Sequence, residues 1–270
     1  SAASDVYKRQ AIEGVDIAWD QRGLGDPPLV LVHGYTGSST DFIDHVDVLA
    51  RRRRVVTLDL RGHGQSGHGP PEDYTFDQLT HDLISVIEHA GAGPADVLGH
   101  SMGGRIAIQA AIERPDLVRS LILMSTSATP FSDDPWAYVS TVTDQLRIRG
   151  MTFLDENPYH EPGDWRLSPE AVRRRRANRD RLDVEAFIAL ARELSTAPPV
   201  LDELAELTMP ITVIVGRRDR LRSASKEIAK AVPHAMFHQV RRAYHSPHLS
   251  NPEQWRDLVE GHLDRVEGDG

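Results

Sequence analysis

Five short apolar runs, each halted by a glycine or a polar residue, constrain this chain more than any other feature. Leu29-Val30-Leu31-Val32 stops at His33-Gly34, Val55-Val56-Thr57-Leu58 at Asp59, and Val97-Leu98 at Gly99. Leu121-Ile122-Leu123-Met124 stops at Ser125, and Ile211-Thr212-Val213-Ile214-Val215 at Gly216. Continuous runs, as opposed to alternating ones, suit strands buried on both faces, as in a parallel sheet covered by helices. None approaches the ~18 apolar residues of a membrane helix. Helical signals fill the gaps. Thr75-Phe76-Asp77-Gln78 reads as a capping box, and Leu79, Leu83, Ile84, Ile87 and Ala90 form one apolar stripe behind it. A second helix continues over residues 105–114 until Pro115, and Asn251 before Pro252 marks the start of a third. The alternation predicts an α/β fold with a mostly parallel, doubly wound sheet.

One stretch departs from that rhythm. Residues 128–207 contain no strand-like run, and Pro130, Pro135, Pro158, Pro162 and Pro169 punctuate their loops. They read as a helical cap inserted into a core made of residues 11–127 and 208–267. Residues 1–10 have no apolar signal-peptide core and are set aside as an extraneous or truncated start, with a cytoplasmic address expected. Residues 51–54 and 173–176 are arginine runs, read as solvated surface near helix C-termini. Composition narrows the function classes. With 40% hydrophobic and 26% charged residues the chain is of globular type, and no internal repeat is found. A formal charge of −9 lacks the basic footprint of a general nucleic-acid binder. The absence of cysteine removes disulfides, thiolate zinc sites and cysteine nucleophiles.

The chemistry concentrates at Gly99-His100-Ser101-Met102-Gly103-Gly104, which follows a predicted strand and opens a predicted helix. That is the context of a G-x-S-x-G nucleophile elbow. A serine on so sharp a turn needs small residues two before and two after it, and the helix that follows aims its positive end at developing negative charge. No Walker pattern is present, and His245-Ser246-Pro247-His248 lacks a third metal ligand. No cofactor and no metal are therefore expected.

Three further segments join the elbow: His33-Gly34-Tyr35, Asp59-Leu60-Arg61-Gly62-His63-Gly64-Gln65-Ser66, and Ala243-Tyr244-His245 with Pro252 seven residues on. Together they resemble the α/β-hydrolase fold superfamily over about residues 13–267, in its serine carboxylesterase-like branches. The resemblance implies a triad of Ser101, His245 and Asp219, with the backbone amides of Tyr35 and Met102 as the oxyanion hole. His248 is the rival base, and Asp133 and Asp134 are the fallback acids. Ser250 departs from the acidic residue often found five after the histidine. His33 and Asp59 are expected to organise loops, His100 to be pocket wall or core, and Trp136 and Tyr159 of the cap to bind substrate. The implied activity is hydrolysis of small hydrophobic carboxylic esters, with no nucleic-acid or membrane partner and the oligomeric state open. A menaquinone-pathway-type lyase, with Arg105 and the cap arginines holding a polyanion, is the alternative, beside carbon–carbon bond hydrolases and enol-lactonases.

Overall fold

The computed structural model describes residues 8–131, 134–156 and 167–268. Its strands are β1 (Lys8–Ile12), β2 (Val15–Arg22), β3 (Leu29–Val32), β4 (Val55–Leu58), β5 (Ala95–His100), β6 (Val118–Met124), β7 (Ile211–Gly216) and β8 (Met236–Val240). They form one sheet in the order β1-β2-β4-β3-β5-β6-β7-β8. β1 pairs antiparallel with β2, and β2 pairs antiparallel with β4. From β4 to β8 every pairing is parallel. The expected α/β architecture is present.

The apolar runs become the strands at the middle of this sheet because both of their faces are covered. Leu29 and Leu31 join one apolar cluster while Val30 and Val32 join the other, as the two-residue period of a strand requires. Helices α1 (Ile43–Leu49), α2 (Phe76–His89) and α3 (Met102–Glu113) follow β3, β4 and β5. Leu79, Leu83 and Ile106 of α2 and α3 pack on one face, and Leu49 of α1 packs on the other. Each such fully buried side chain contributes about 1.5–3 kcal/mol.

Between β6 and β7 lie α4 (Pro135–Arg149), α5 (Phe153–Glu156), α6 (Pro169–Arg181), α7 (Val184–Thr196) and α8 (Leu201–Ala205). After β7 come α9 (Arg222–Ala231), α10 (Pro247–Ser250) and α11 (Pro252–Gly268), whose Trp255, Val259 and Leu263 complete the second face. The inserted helices share the main core, since Phe187, Leu190 and Leu194 of α7 belong to the same apolar cluster as α2 and α3. Arg105 ties both ends of the insertion to α3. Its guanidinium donates to the carbonyls of Ala128 at 2.9 Å and Pro198 at 2.5 Å. It therefore serves as a clamp, not as the substrate ligand offered from sequence.

Three differences from the sequence reading stand out. Lys8, Arg9 and Gln10, set aside as outside the fold, form most of β1 and pair in register with β2. β1, β2 and β8 carry mixed burial patterns, so no continuous apolar run announces them. Residues 173–176 lie in the middle of α6, away from its C-terminus. Among the described residues no helix is long and apolar enough to cross a membrane.

Candidate active site

The elbow is built by close packing at two glycines. Ser101, between β5 and α3, holds φ 54° and ψ −117°, a conformation that strains any residue with a Cβ. A Cβ on Gly99 would lie 2.3 Å from the Gly103 carbonyl oxygen. One on Gly103 would lie 2.4 Å from the carbonyl oxygen of His33. The turn thus presses directly against the loop that follows β3. The same contact would place a Cβ of Gly34 within 3.3 Å of the Ser101 Cβ, so the His33-Gly34-Tyr35 loop borders Ser101.

That loop is held by the turn after β4. His33 Nε2 accepts from the Leu60 amide at 3.0 Å, which leaves Nδ1–H to donate to the Gly34 carbonyl at 2.8 Å. Burial, reinforced by the neighbouring His63, keeps the His33 ring well below its ordinary pKa and so neutral. His63 Nε2 meets the Tyr35 carbonyl at 2.7 Å. Asp59 receives the Ser39 amide at 2.7 Å and the Gln65 amide at 2.8 Å, so its carboxylate is spent on loop organisation. The Tyr35 ring stacks on Phe187 at 5.0 Å, and its hydroxyl donates to the Phe187 carbonyl. This phenol is an anchored wall and is turned to α7.

Asp219 follows β7 and His245 follows β8. Cross-loop bonds from the Arg217 amide to the Val240 carbonyl and from the Arg218 amide to the Ala243 carbonyl, both 3.0 Å, bring the two together. His245 Nδ1 lies 3.1 and 3.3 Å from the Asp219 carboxylate oxygens, and its Nε2 lies 2.9 Å from Ser101 Oγ. Burial pushes the Asp219 carboxyl up. The charge of His245, its hydrogen bond and the Leu221 amide at 2.9 Å outweigh that and hold it below the usual carboxylate range. An ionised Asp219 fixes the tautomer: Nδ1–H donates to the carboxylate, and Nε2 accepts from the serine hydroxyl. His100 Nε2 meets the His245 carbonyl at 2.9 Å and so steadies that loop from below.

The competing residues are placed elsewhere. His248 is buried, and neither ring nitrogen has a hydrogen-bond partner among the described residues. Asp134 caps α4 by accepting from the Ala137 amide at 3.2 Å. Asp133 lies outside the described residues, as does Tyr159. Among the described residues, no group of three or more histidine, aspartate or glutamate side chains is arranged to hold a metal ion.

The model of the alpha/beta hydrolase fold family matches residues 27–252. The chain belongs to that family. Among curated relatives, the sn-1-specific diacylglycerol lipase ABHD11 of Mus musculus is 27% identical over 254 residues, spanning 88% of this chain and 81% of that protein. Among solved structures, a thermophilic esterase of Thermogutta terrifontis superposes with a TM-score of 0.84 at 27% identity, over 96% of this chain and 97% of its own. A carboxylesterase structure from the thaumarchaeon Nitrososphaera gargenis shares the fold at a TM-score of 0.86 and 24% identity, over 98% of this chain and 100% of its own.

In this α/β-hydrolase the pocket above Ser101 is walled by Tyr35, Phe131, Pro135, Leu194, Leu221 and Leu249. Asp41, Arg175 and Arg220 add charge to the same lining. Trp136 lines a separate outer groove with Tyr74, Ile188 and Arg192. The reason is helical geometry: successive residues point about 100° apart, so Pro135 at the start of α4 faces Ser101 and Trp136 turns away. Sequence reasoning missed Phe131 and the inward side of α7. Leu194 belongs to the buried apolar face of α7, but such a face alone does not separate core from pocket wall.

Proposed function

We propose that this chain is a serine carboxylester hydrolase acting on small hydrophobic esters. The observation that carries the reading is the unbroken hydrogen-bond line from Asp219 through His245 to Ser101 Oγ, at the floor of a pocket whose walls include Phe131, Leu194 and Leu221. Ser101 Oγ attacks the acyl carbon as Nε2 of His245 takes its proton, and Asp219 stabilises the resulting imidazolium. The amides of Tyr35 and Met102 hold the oxyanion; losing one such donor typically slows turnover by ~10²–10³. His245 returns the proton to the departing alkoxide, then takes one from water, which attacks the acyl-enzyme and releases the acid. Phe131 and Leu194 act as acyl-pocket walls, so the helices between β6 and β7 select the substrate while the triad sets the reaction. The described elements fit action on soluble small molecules.

A second reading, elimination or ring opening of an anionic substrate on the same triad, is favoured by Arg175 and Arg220 in the pocket lining. A panel of p-nitrophenyl esters from acetate to palmitate, run beside a menaquinone-precursor assay and an enol-lactone, separates the two. Ser101→Ala should leave less than about a thousandth of wild-type ester turnover, and a phosphonate should label Ser101 and no other serine. Turnover above that level, or labelling elsewhere, would show that the nucleophile is wrong.

A further inference from the structure

Many arginines in this chain are matched to acids. Arg52 pairs with Asp264, Arg54 with Asp26, Arg119 with Asp96 and Arg147 with Glu185. Four arginines without such a partner lie together. Arg217 and Arg218 follow β7, Arg241 and Arg242 follow β8, and all four line one open groove with Asn251 and Gln254. Among the described residues none of the four has a carboxylate partner. The Arg218 guanidinium donates to the Tyr244 hydroxyl at 3.3 Å and lies 5.9 Å from the centre of its ring. Four like charges in one groove repel one another, and a chain of net charge −9 has acids to spare for neutralising them. None stands there.

The backbone beneath these side chains is pinned. The Arg217 and Arg218 amides bond across to the Val240 and Ala243 carbonyls. The Arg241 amide donates to Gln254 Oε1 at 2.9 Å, and Asn251 Nδ2 donates to the Arg241 carbonyl at 3.0 Å. Arg242 holds φ 56°, a left-handed conformation that strains a residue with a side chain and that the surrounding bonds maintain. The backbone that carries the four arginines is therefore set before any ligand arrives, which reduces the ordering cost of binding. Its chemistry is specific too. A guanidinium presents paired N–H donors that match two phosphate oxygens, and a phosphate monoester carries about 1.5–2 negative charges at neutral pH. A diphosphate thus matches four guanidiniums better than a lone carboxylate does.

We propose that this groove binds the phosphate or diphosphate group of a small molecule, at a site distinct from the Ser101 pocket. The two linings share no residue, yet they share loops: Arg218 directly precedes Asp219, and Arg242 lies three residues before His245. The test is calorimetric titration of inorganic pyrophosphate, and separately of ADP, at constant ionic strength. Three proteins are compared: the wild type, an Arg218→Gln/Arg242→Gln variant, and an Arg173→Gln/Arg176→Gln variant that removes equal charge from α6. Saturable one-to-one binding by the wild type, weakened about tenfold or more in the groove variant and less than about twofold in the α6 variant, is the expected result. ADP binding more tightly than pyrophosphate would assign a nucleotide; equal affinities would assign the diphosphate alone. The proposal is overturned if neither ligand saturates by about 10 mM, or if the α6 variant weakens binding equally, as diffuse electrostatics would. Capture on phosphatidylglycerol vesicles without pyrophosphate binding would also overturn it, in favour of a membrane surface.

Discussion

His262 of α11 has both ring nitrogens committed. Nδ1 accepts from the Thr212 hydroxyl at 2.8 Å and from the Arg265 guanidinium at 3.2 Å, so Nε2–H donates to Ser120 Oγ at 2.9 Å. The Ser120 hydroxyl in turn donates to Asp96 at 2.5 Å. The network works only with a neutral ring, since protonation would put an N–H against a guanidinium. Burial first, then the charges of Arg265, Arg119 and Arg53, lower the His262 pKa from 6.5 to about 3. The consequence has a definite sign. Above pH 6.5 the ring is neutral in folded and unfolded chains alike, and its full contribution is present. Below 6.5 the unfolded chain takes up a proton that the folded ring refuses, so stability falls as pH drops, until about 3. At about 1.4 kcal/mol per unit, moving to pH 5 removes about 2 kcal/mol through this one residue. His262→Gln keeps a donor and an acceptor but does not titrate. Urea melts followed by tryptophan fluorescence should therefore show the wild type losing about 2 kcal/mol more than the variant between pH 8 and pH 5. Parallel losses in the two proteins would refute the reasoning. His45, lowered to about 4, and the buried His33 and His248 act in the same direction, so the wild type should be acid-labile.

Gly103→Ala should displace α3 from the His33 carbonyl, because the new Cβ would sit 2.4 Å from that oxygen. Shifting Ser101 and the Met102 amide even slightly should lower kcat by about 10²-fold; unchanged turnover with unchanged circular dichroism would contradict the packing argument. Arg61 and Asp82 form a fully buried bidentate pair at 2.6 and 2.7 Å. Arg61→Met or Asp82→Leu alone should destabilise by about 3–5 kcal/mol by stranding the other charge, and the double variant should lose much less than the sum. Strict additivity in urea melts would show that the two charges do not act as a pair.

The strands at the middle of the sheet were legible because both faces of β3, β4 and β7 are buried, which writes an unbroken apolar run into the chain. The elbow was legible for a similarly local reason. A strained serine and the tight contact between Gly99 and Gly103 restrict residue choice within a few positions, and spacing records that restriction. β1, β2 and β8 left no such mark, since their partly exposed faces accept polar residues. Arg105 reads in sequence as a candidate anion ligand, but its guanidinium meets two carbonyls that are neighbours only in the folded chain. In the same way, whether Trp136 or Pro135 faces Ser101 depends on how α4 is rotated against α7, which no local pattern encodes. Sequence by itself determined what the backbone restricts locally: buried strands, the elbow turn, and the residue types able to do the chemistry. Tertiary structure alone decided the pairings, because Asp219, His245 and Ser101 meet through loops fixed by long-range hydrogen bonds and by packing from both sides of the sheet.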